Sequence, residues 1–359
     1  MARRTYRAWS AENGMTPTRV AVVGSGYWGR NLVRVFSELG VLAAVCDTNA
    51  QALADVREAH PSVAVTSDYD QVLSDPRIGA VVVATPAEEH FSIASRALTA
   101  GKDTFVEKPL ALTVDQGLQL AAMANGLGRV LMVGHILHYH PAVRALKTKV
   151  DAGELGDLYY IYSNRLNLGR VRTEENILWS FAPHDISAVL LLAGGQIRQV
   201  GVAGGAFLQP AIADVTVTTL TFDNGVRGHI FVSWLHPYKE HRLVLVGSRK
   251  MAVFDDLAGP RRLTIYDKRI AWAEGVPTPV HAPDDIVELP DVEPLRAECE
   301  HFLECVRLRR TPETDGRNGT RVLAVLEACQ RSLERNGAAA EVVFPAEEPG
   351  YRGRSFLQT

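Results

Sequence analysis

From Arg19 to Gly134 short apolar runs alternate with amphipathic stretches: RVAVVG before YWGRNLVRVFSELG, VLAAVCD before NAQALADVREAH, AVVVAT before EEHFSIASRALTAG, DTFVE before TVDQGLQLAAMANGLG, then RVLMVG. Runs such as AVVVAT and RVLMVG are apolar at every position, as strands covered by helices on both faces require. The pattern predicts an α/β region built on a Rossmann-type, doubly wound parallel sheet. After a helical stretch near 141–152 the period changes to two in DLYYIYSNRLNL, DVTVTTLTFDNGVRGHIFVSWL and HRLVLVGSRKMAVFDD. Asp223-Asn224-Gly225 supplies a hairpin turn there. This second part reads as α+β, a large, mostly antiparallel open sheet covered by helices on one face, with closing helices near 295–309 and 318–335. The expected division is residues 1–18 as a flexible extension, 19–140 as the parallel-sheet domain and 141–359 as the domain of the open sheet.

Val215, Val217, Ile230 and Val232 are apolar positions of that open sheet. A second subunit, in a dimer or tetramer, is expected to cover them. The chain has 359 residues, 47% hydrophobic and 22% charged, enough for two domains. A net charge of −3 leaves no basic footprint for nucleic acid or an anionic membrane, so a small-molecule partner is expected. Cys46, Cys299, Cys305 and Cys329 fit neither a zinc motif nor a disulfide framework, which points to a reducing cytoplasm. The opening MARRTYRAWSAENGMTPT lacks the apolar core of a signal peptide, and no later run approaches the ~20 apolar residues of a membrane span.

Gly24-Ser25-Gly26-Tyr27-Trp28-Gly29 follows an apolar strand and opens a helix. In that setting the first glycine allows a tight turn, the second lets main chain approach a pyrophosphate, and the third lets helix and strand pack closely. Asp47 ends the second strand, where its carboxylate can accept both ribose hydroxyls of NAD and would repel the extra phosphate of NADP; Thr48 and Asn49 supply no arginine to hold that phosphate. Thr85-Pro86 ends the fourth strand beside the same crevice. His90, in the helix beyond, is either a ligand of the cofactor or an ordinary helix residue. Lys108 follows the fifth strand at the carboxyl edge of the sheet, where open α/β sheets bind ligands, and Pro109 sets the chain direction behind it.

These motifs, with ATPAEEHFSIASRALTAGKDTFVEKPLAL and EPLRAECEHFLECVRLRRTPETDGRNGTRVLAVLEA, resemble the glucose-fructose oxidoreductase / inositol dehydrogenase / MocA family over nearly the whole chain after residue 18. YWGRNLVRVFSELG and YIYSNRLNLGRVRTEENILWSFAPHDISAVLL look like the nucleotide-sugar 3-dehydrogenases that act on UDP-N-acetylglucosaminuronic acid. The resemblance implies a homo-oligomeric, NAD-dependent sugar dehydrogenase that forms a 3-keto sugar ahead of transamination, in amino-sugar or antibiotic biosynthesis. It places Lys108 beside the nicotinamide and on the hydroxyl being oxidised, and His184 on that same hydroxyl. Tyr27, Trp28, Thr85, Pro86, His90 and Glu107 join Gly24, Gly26, Gly29, Asp47 and Lys108 as expected cofactor contacts. Ser180 stands where inositol-type members carry an aspartate four residues before the histidine.

Arg165 and Asn167 fall on one strand face and, with Arg172, suit an anionic or polyhydroxyl substrate. Tyr139 and Ser180 complete the expected substrate contacts. His135, His138 and His140 lack a catalytic-zinc spacing, so no metal is expected and they read as cleft lining or packing. Rival readings are a C3 dehydrogenase of an aminoglycoside or other glycosylated product, a 3-ketoreductase of deoxysugar synthesis, and a non-catalytic NAD sensor.

Overall fold

The computed structural model describes residues 18–169 and 171–344, so residues 1–17 of the expected extension lie outside the described residues. The first sheet is formed by β1 (Arg19–Val23), β2 (Leu42–Cys46), β3 (Ala64–Thr66), β4 (Ile78–Val83), β5 (Asp103–Glu107) and β6 (Leu131–Gly134). All neighbours are parallel, in the order β3-β2-β1-β4-β5-β6. The connecting helices are α1 (Gly29–Glu38), α2 (Ala50–Ala59), α3 (Tyr69–Ser74), α4 (Ala87–Thr99) and α5 (Val114–Gly126). Asn49 and Thr113 cap α2 and α5 by accepting main-chain N–H groups of their first turns. Strand order reverses between β1 and β4, so the turns after these strands open one crevice at the carboxyl edge. The short β3 and α3 occupy the stretch between 60 and 77, whose polar residues hide both elements from a hydrophobicity scan.

The rest of the chain runs through α6 (Pro141–Asp151), β7 (Leu158–Leu168), α7 (Ile177–Leu192), β8 (Ile197–Gly205), β9 (Val215–Phe222), β10 (Arg227–Ser233), β11 (Leu235–Gly247), β12 (Met251–Asp255), β13 (Leu263–Tyr266), β14 (Lys268–Ala273), β15 (Val276–His281), β16 (Asp285–Ile286), α8 (Pro294–Leu308), α9 (Gly316–Glu334) and β17 (Ala340–Glu341). Nine of these strands form a sheet in the order β16-β13-β12-β11-β7-β10-β9-β8-β17. Only the β7–β10 pair in it is parallel. The β9–β10 hairpin turns at Asp223-Asn224-Gly225, with Gly225 at φ +88°.

α7 and α9 cover one face of this sheet. Ile161, Ile230, Val232, Leu243 and Leu245 pack there with Ile186, Val189, Val325 and Ala328. α9 also buries Val322 and Leu323 in the same continuous core, together with Val81, Val83 and Leu120 of the first domain. α8 returns to the opposite face of the first sheet, where Phe302 meets Phe105 at 5.6 Å and joins Leu32, Phe36 and Met132. The division expected at residue 140 is therefore crossed by α8, which completes the first domain's core.

One expectation about the open face fails. Val217 pairs with Phe231, and Ile230 pairs with Thr218, so Ile230 and Val232 face the helices and are fully buried. Only Val215 and Val217 of the four valine and isoleucine positions lie on the uncovered face, beside Tyr160, Tyr162, His229 and Phe231. Opposed residues of paired strands share a face, and reading each strand by itself placed β10 one residue out of phase.

Candidate active site

The glycine turn fits a dinucleotide. Gly24 has φ +91°, and a Cβ there would come within 2.6 Å of the Ala84 carbonyl oxygen. A Cβ on Gly29 would lie 2.1 Å from the Gly24 carbonyl oxygen, whereas one on Gly26 would meet nothing within 4 Å. The first and third glycines thus close the turn and the second faces open space, as a pyrophosphate cradle requires. Asp47 Oδ2 accepts the Ser25 N–H at 2.6 Å and the Ser25 hydroxyl at 3.0 Å, and Oδ1 accepts the Asn49 N–H at 2.8 Å. The carboxylate is thereby oriented at the rim of the turn. Across the crevice, Thr85 Oγ1 is buried without a partner.

Trp28 crosses from this turn to the end of β5, where its indole N–H donates to Glu107 Oε1 at 2.6 Å. Tyr27 beside it is 72% exposed. Burial raises the Glu107 pKa to about 7, with the Trp28 N–H and the Lys108 charge opposing. Glu298 on α8 is fully buried, and neither carboxyl oxygen has a partner. Burial, with the nearby Glu107, holds it well above the usual carboxylate range. A carboxyl whose folded pKa is raised contributes fully below its unfolded value of about 4.5, and that contribution is lost as pH rises. Glu298→Gln is therefore expected to stabilise by roughly 1–3 kcal/mol near pH 8 and by much less near pH 5. Urea unfolding at the two pH values checks this, and an equal effect at both would contradict it.

Lys108 is followed by a cis peptide to Pro109. Its Nζ donates to the Ser180 carbonyl at 2.9 Å. Ser180 and His184 are one turn apart on α7, so this bond brings the lysine to the helix face that carries the histidine. Burial lowers the Lys108 pKa; Glu175 and Glu107 oppose this, and Arg172 and Arg165 reinforce it. Burial also puts the His184 pKa well below its ordinary value, with the Lys108 and Arg165 charges next in importance. His184 is neutral as a result, and its Nδ1 has no partner. Ser180 thus contributes its main-chain carbonyl, and its side chain is buried.

Arg165 is already occupied. Its Nε donates to Asp185 Oδ2 at 2.8 Å and its Nη2 to Oδ1 at 3.3 Å. Ser163 Oγ donates to the same carboxylate at 2.6 Å. Asp185 is 2% exposed and adjacent to His184 in sequence, so the pair anchors the histidine's turn of α7 to β7. Arg172 lies 3.9 Å from Glu175. The two arginines expected to meet a substrate anion therefore carry carboxylate partners of their own. Asn167, on the same strand face as Arg165, has a buried Oδ1 without a partner and is the better placed of the three for a sugar hydroxyl.

Two other expectations are corrected. Tyr139 is 1% exposed, and its hydroxyl bonds to Thr314 Oγ1 at 3.1 Å. The 3-10 turn over Ile136–Tyr139 carries it into the core, away from any substrate. His90 is also 1% exposed, with both ring nitrogens against main-chain carbonyls, so it is not a direct cofactor ligand. Of the other histidines, His138 bonds to Ser187 Oγ at 2.7 Å and His140 caps α6. His135, missed as a site residue, is buried near Lys108 and His184 with neither nitrogen bonded, and burial puts its pKa well below normal. Among the described residues no group of three His, Cys, Asp or Glu side chains is placed to hold a metal, and no helix is long and apolar enough to cross a membrane.

Comparison with known proteins gives the family. Residues 18–135 match the oxidoreductase family with an NAD-binding Rossmann fold, and residues 143–253 match the GFO/IDH/MocA C-terminal domain. The chain is similar to UDP-N-acetylglucosamine 3-dehydrogenase of Acidithiobacillus ferrooxidans, 30% identical over 319 residues that cover 86% of this chain and 95% of that one. A solved structure of that enzyme superposes with a TM-score of 0.79 at 28% identity, over 90% of this chain and 99% of the other. The NAD-dependent scyllo-inositol 2-dehydrogenase of Bacillus subtilis is 27% identical over 77% of this chain and 81% of its own.

Proposed function

The chain belongs to the GFO/IDH/MocA family of NAD-binding oxidoreductases, and from that premise we propose that it oxidises the C3 hydroxyl of a sugar ring to a ketone, on a neutral amino-sugar unit. The observation that carries the reading is Lys108 docked on Ser180, one helical turn from a neutral His184, at the carboxyl edge that also holds the glycine turn and Asp47. NAD, when bound, supplies the hydride acceptor. Lys108, with its lowered pKa, takes the hydroxyl proton, and the unbonded Nδ1 of His184 is the second group able to hold it. Asn167 binds a ring hydroxyl. A 3-keto product is a substrate for transamination.

The preference for a neutral ring rests on Asp185. Its carboxylate neutralises Arg165, and Glu175 stands beside Arg172, so a uronate carboxylate entering here would lose water without gaining an unpaired cation. The similarity to a UDP-N-acetylglucosamine 3-dehydrogenase supports the same choice. The test is steady-state NAD reduction with UDP-N-acetylglucosamine, its uronate counterpart and a non-nucleotide amino-sugar glycoside. The neutral nucleotide sugar is expected to exceed the uronate in kcat/KM by tenfold or more, about 1.4 kcal/mol. Preference for the uronate would overturn the charge argument, and turnover of the glycoside alone would remove the nucleotide from the substrate.

A further inference from the structure

His90 Nδ1 lies 2.7 Å from the Pro109 carbonyl oxygen and His90 Nε2 lies 2.9 Å from that of Thr85. The two carbonyls belong to different turns. One leaves β4 beside the glycine turn; the other leaves β5 immediately after Lys108. A packing residue of α4 at this depth needs only an apolar side chain, and its neighbours on the buried face are Ala94, Ala97 and Leu98. An imidazole so deeply buried is retained where its polar atoms are bonded, and here both ring nitrogens face carbonyls at the rim of the crevice. Each carbonyl can only accept, so the neutral ring donates to one of them and packs against the other, and only the imidazolium donates to both at once. Burial, followed by the Lys108 charge, lowers the pKa of the ring, while the two carbonyls oppose that and Glu88 adds a smaller opposing charge.

We infer that His90 is a positioning residue that ties the Thr85 turn to the Pro109 turn and thereby sets where Lys108 stands against Ser180 and His184. The inference rests on the reading of Lys108 as the proton acceptor. The β4–β5 pairing that also joins the two turns has Val83 and Val106 as its last matched residues. Lys108 lies two residues beyond that point. Small errors in such a group's position cost about a hundredfold in rate while leaving binding nearly intact.

His90→Leu keeps an apolar side chain of similar reach and removes the ring's hydrogen bonding to the two carbonyls, whereas His90→Gln restores a carboxamide whose two N–H groups can address two carbonyls. The leucine variant is expected to lose about a hundredfold in kcat, with KM for the sugar and affinity for NADH within about threefold of wild type. The glutamine variant is expected to recover most of that loss. A leucine variant with kcat within about twofold of wild type, or equal losses in both variants that track a lowered Tm, would overturn the inference. Should leucine prevent folding, the glutamine variant against His90→Asn, too short to span both carbonyls, gives the same contrast.

The inference can also fail separately from the sugar reading. Acylation of Lys108, followed by mass spectrometry in wild type and His90→Leu, reports the lysine's placement without any substrate. Release from the Ser180 carbonyl is expected to speed labelling about tenfold, and unchanged labelling would overturn the tie even where no sugar is turned over.

Discussion

Replacing Lys108 with alanine is expected to lower kcat about 10³-fold while NAD binds with nearly wild-type affinity. The two effects separate because the groups proposed to hold the dinucleotide, the Gly24–Gly29 turn and the Asp47 carboxylate, do not depend on the lysine for their own bonds. Lys108→Arg is expected to be nearly as inactive, since a guanidinium keeps its proton throughout the useful pH range. In the wild type the acceptor must be deprotonated, so kcat/KM is expected to rise with pH through an apparent pKa below the ordinary lysine value of about 10.4, and the alanine variant should lose that limb. Initial rates across pH, with NADH titrated by fluorescence, check both parts. Loss of NAD binding in the alanine variant would mean that Lys108 holds the cofactor and does not move the proton.

Asp185→Asn is expected to destabilise the fold by about 3–5 kcal/mol and to reduce kcat as well. Arg165 is 15% exposed at its side chain and Asp185 2%, so removing the carboxylate leaves a guanidinium charge with little water to replace it. Ser163 loses its acceptor in the same step. Replacing both partners, as Arg165→Met with Asp185→Leu, is expected to recover most of the stability, because the desolvation of both charges disappears with the pair. Activity should not return with it, since the link that fixes the His184 turn to β7 is gone. Urea unfolding of the two singles and the double forms a cycle. Additive single and double losses would show that the two side chains act independently and that the pair does not anchor α7.

The groups proposed to meet the cofactor were legible because their chemistry is local in sequence. A glycine turn between strand and helix, Asp47 at the next strand end, and Lys108 after β5 each need only a few neighbouring residues to be understood. Lys108 and His184 were read as a pair, and the structure joins the lysine to the main-chain carbonyl of Ser180, one turn from His184, which no side-chain pattern reveals. Arg165 was read as a substrate contact from the fit of a guanidinium to an anion, and strand alternation gave its face but is silent about what the facing helix presents, which is Asp185. Tyr139 and the Ile230–Val232 face failed where a single turn or a one-residue phase decides direction. The β14–β15 hairpin, with Trp272 72% exposed, escaped notice because two-stranded elements outside a core leave no buried periodicity.

The central claim is that this site removes hydride from C3 while Lys108 takes the hydroxyl proton. The most direct measurement uses the sugar that supports NAD reduction, deuterated in turn at C3 and at C4, and follows the label into the reduced nicotinamide by mass spectrometry. Deuterium transferred from C3 alone, with a rate slowed by a primary isotope effect, is the result predicted. Transfer from C4, or from neither carbon, would contradict it.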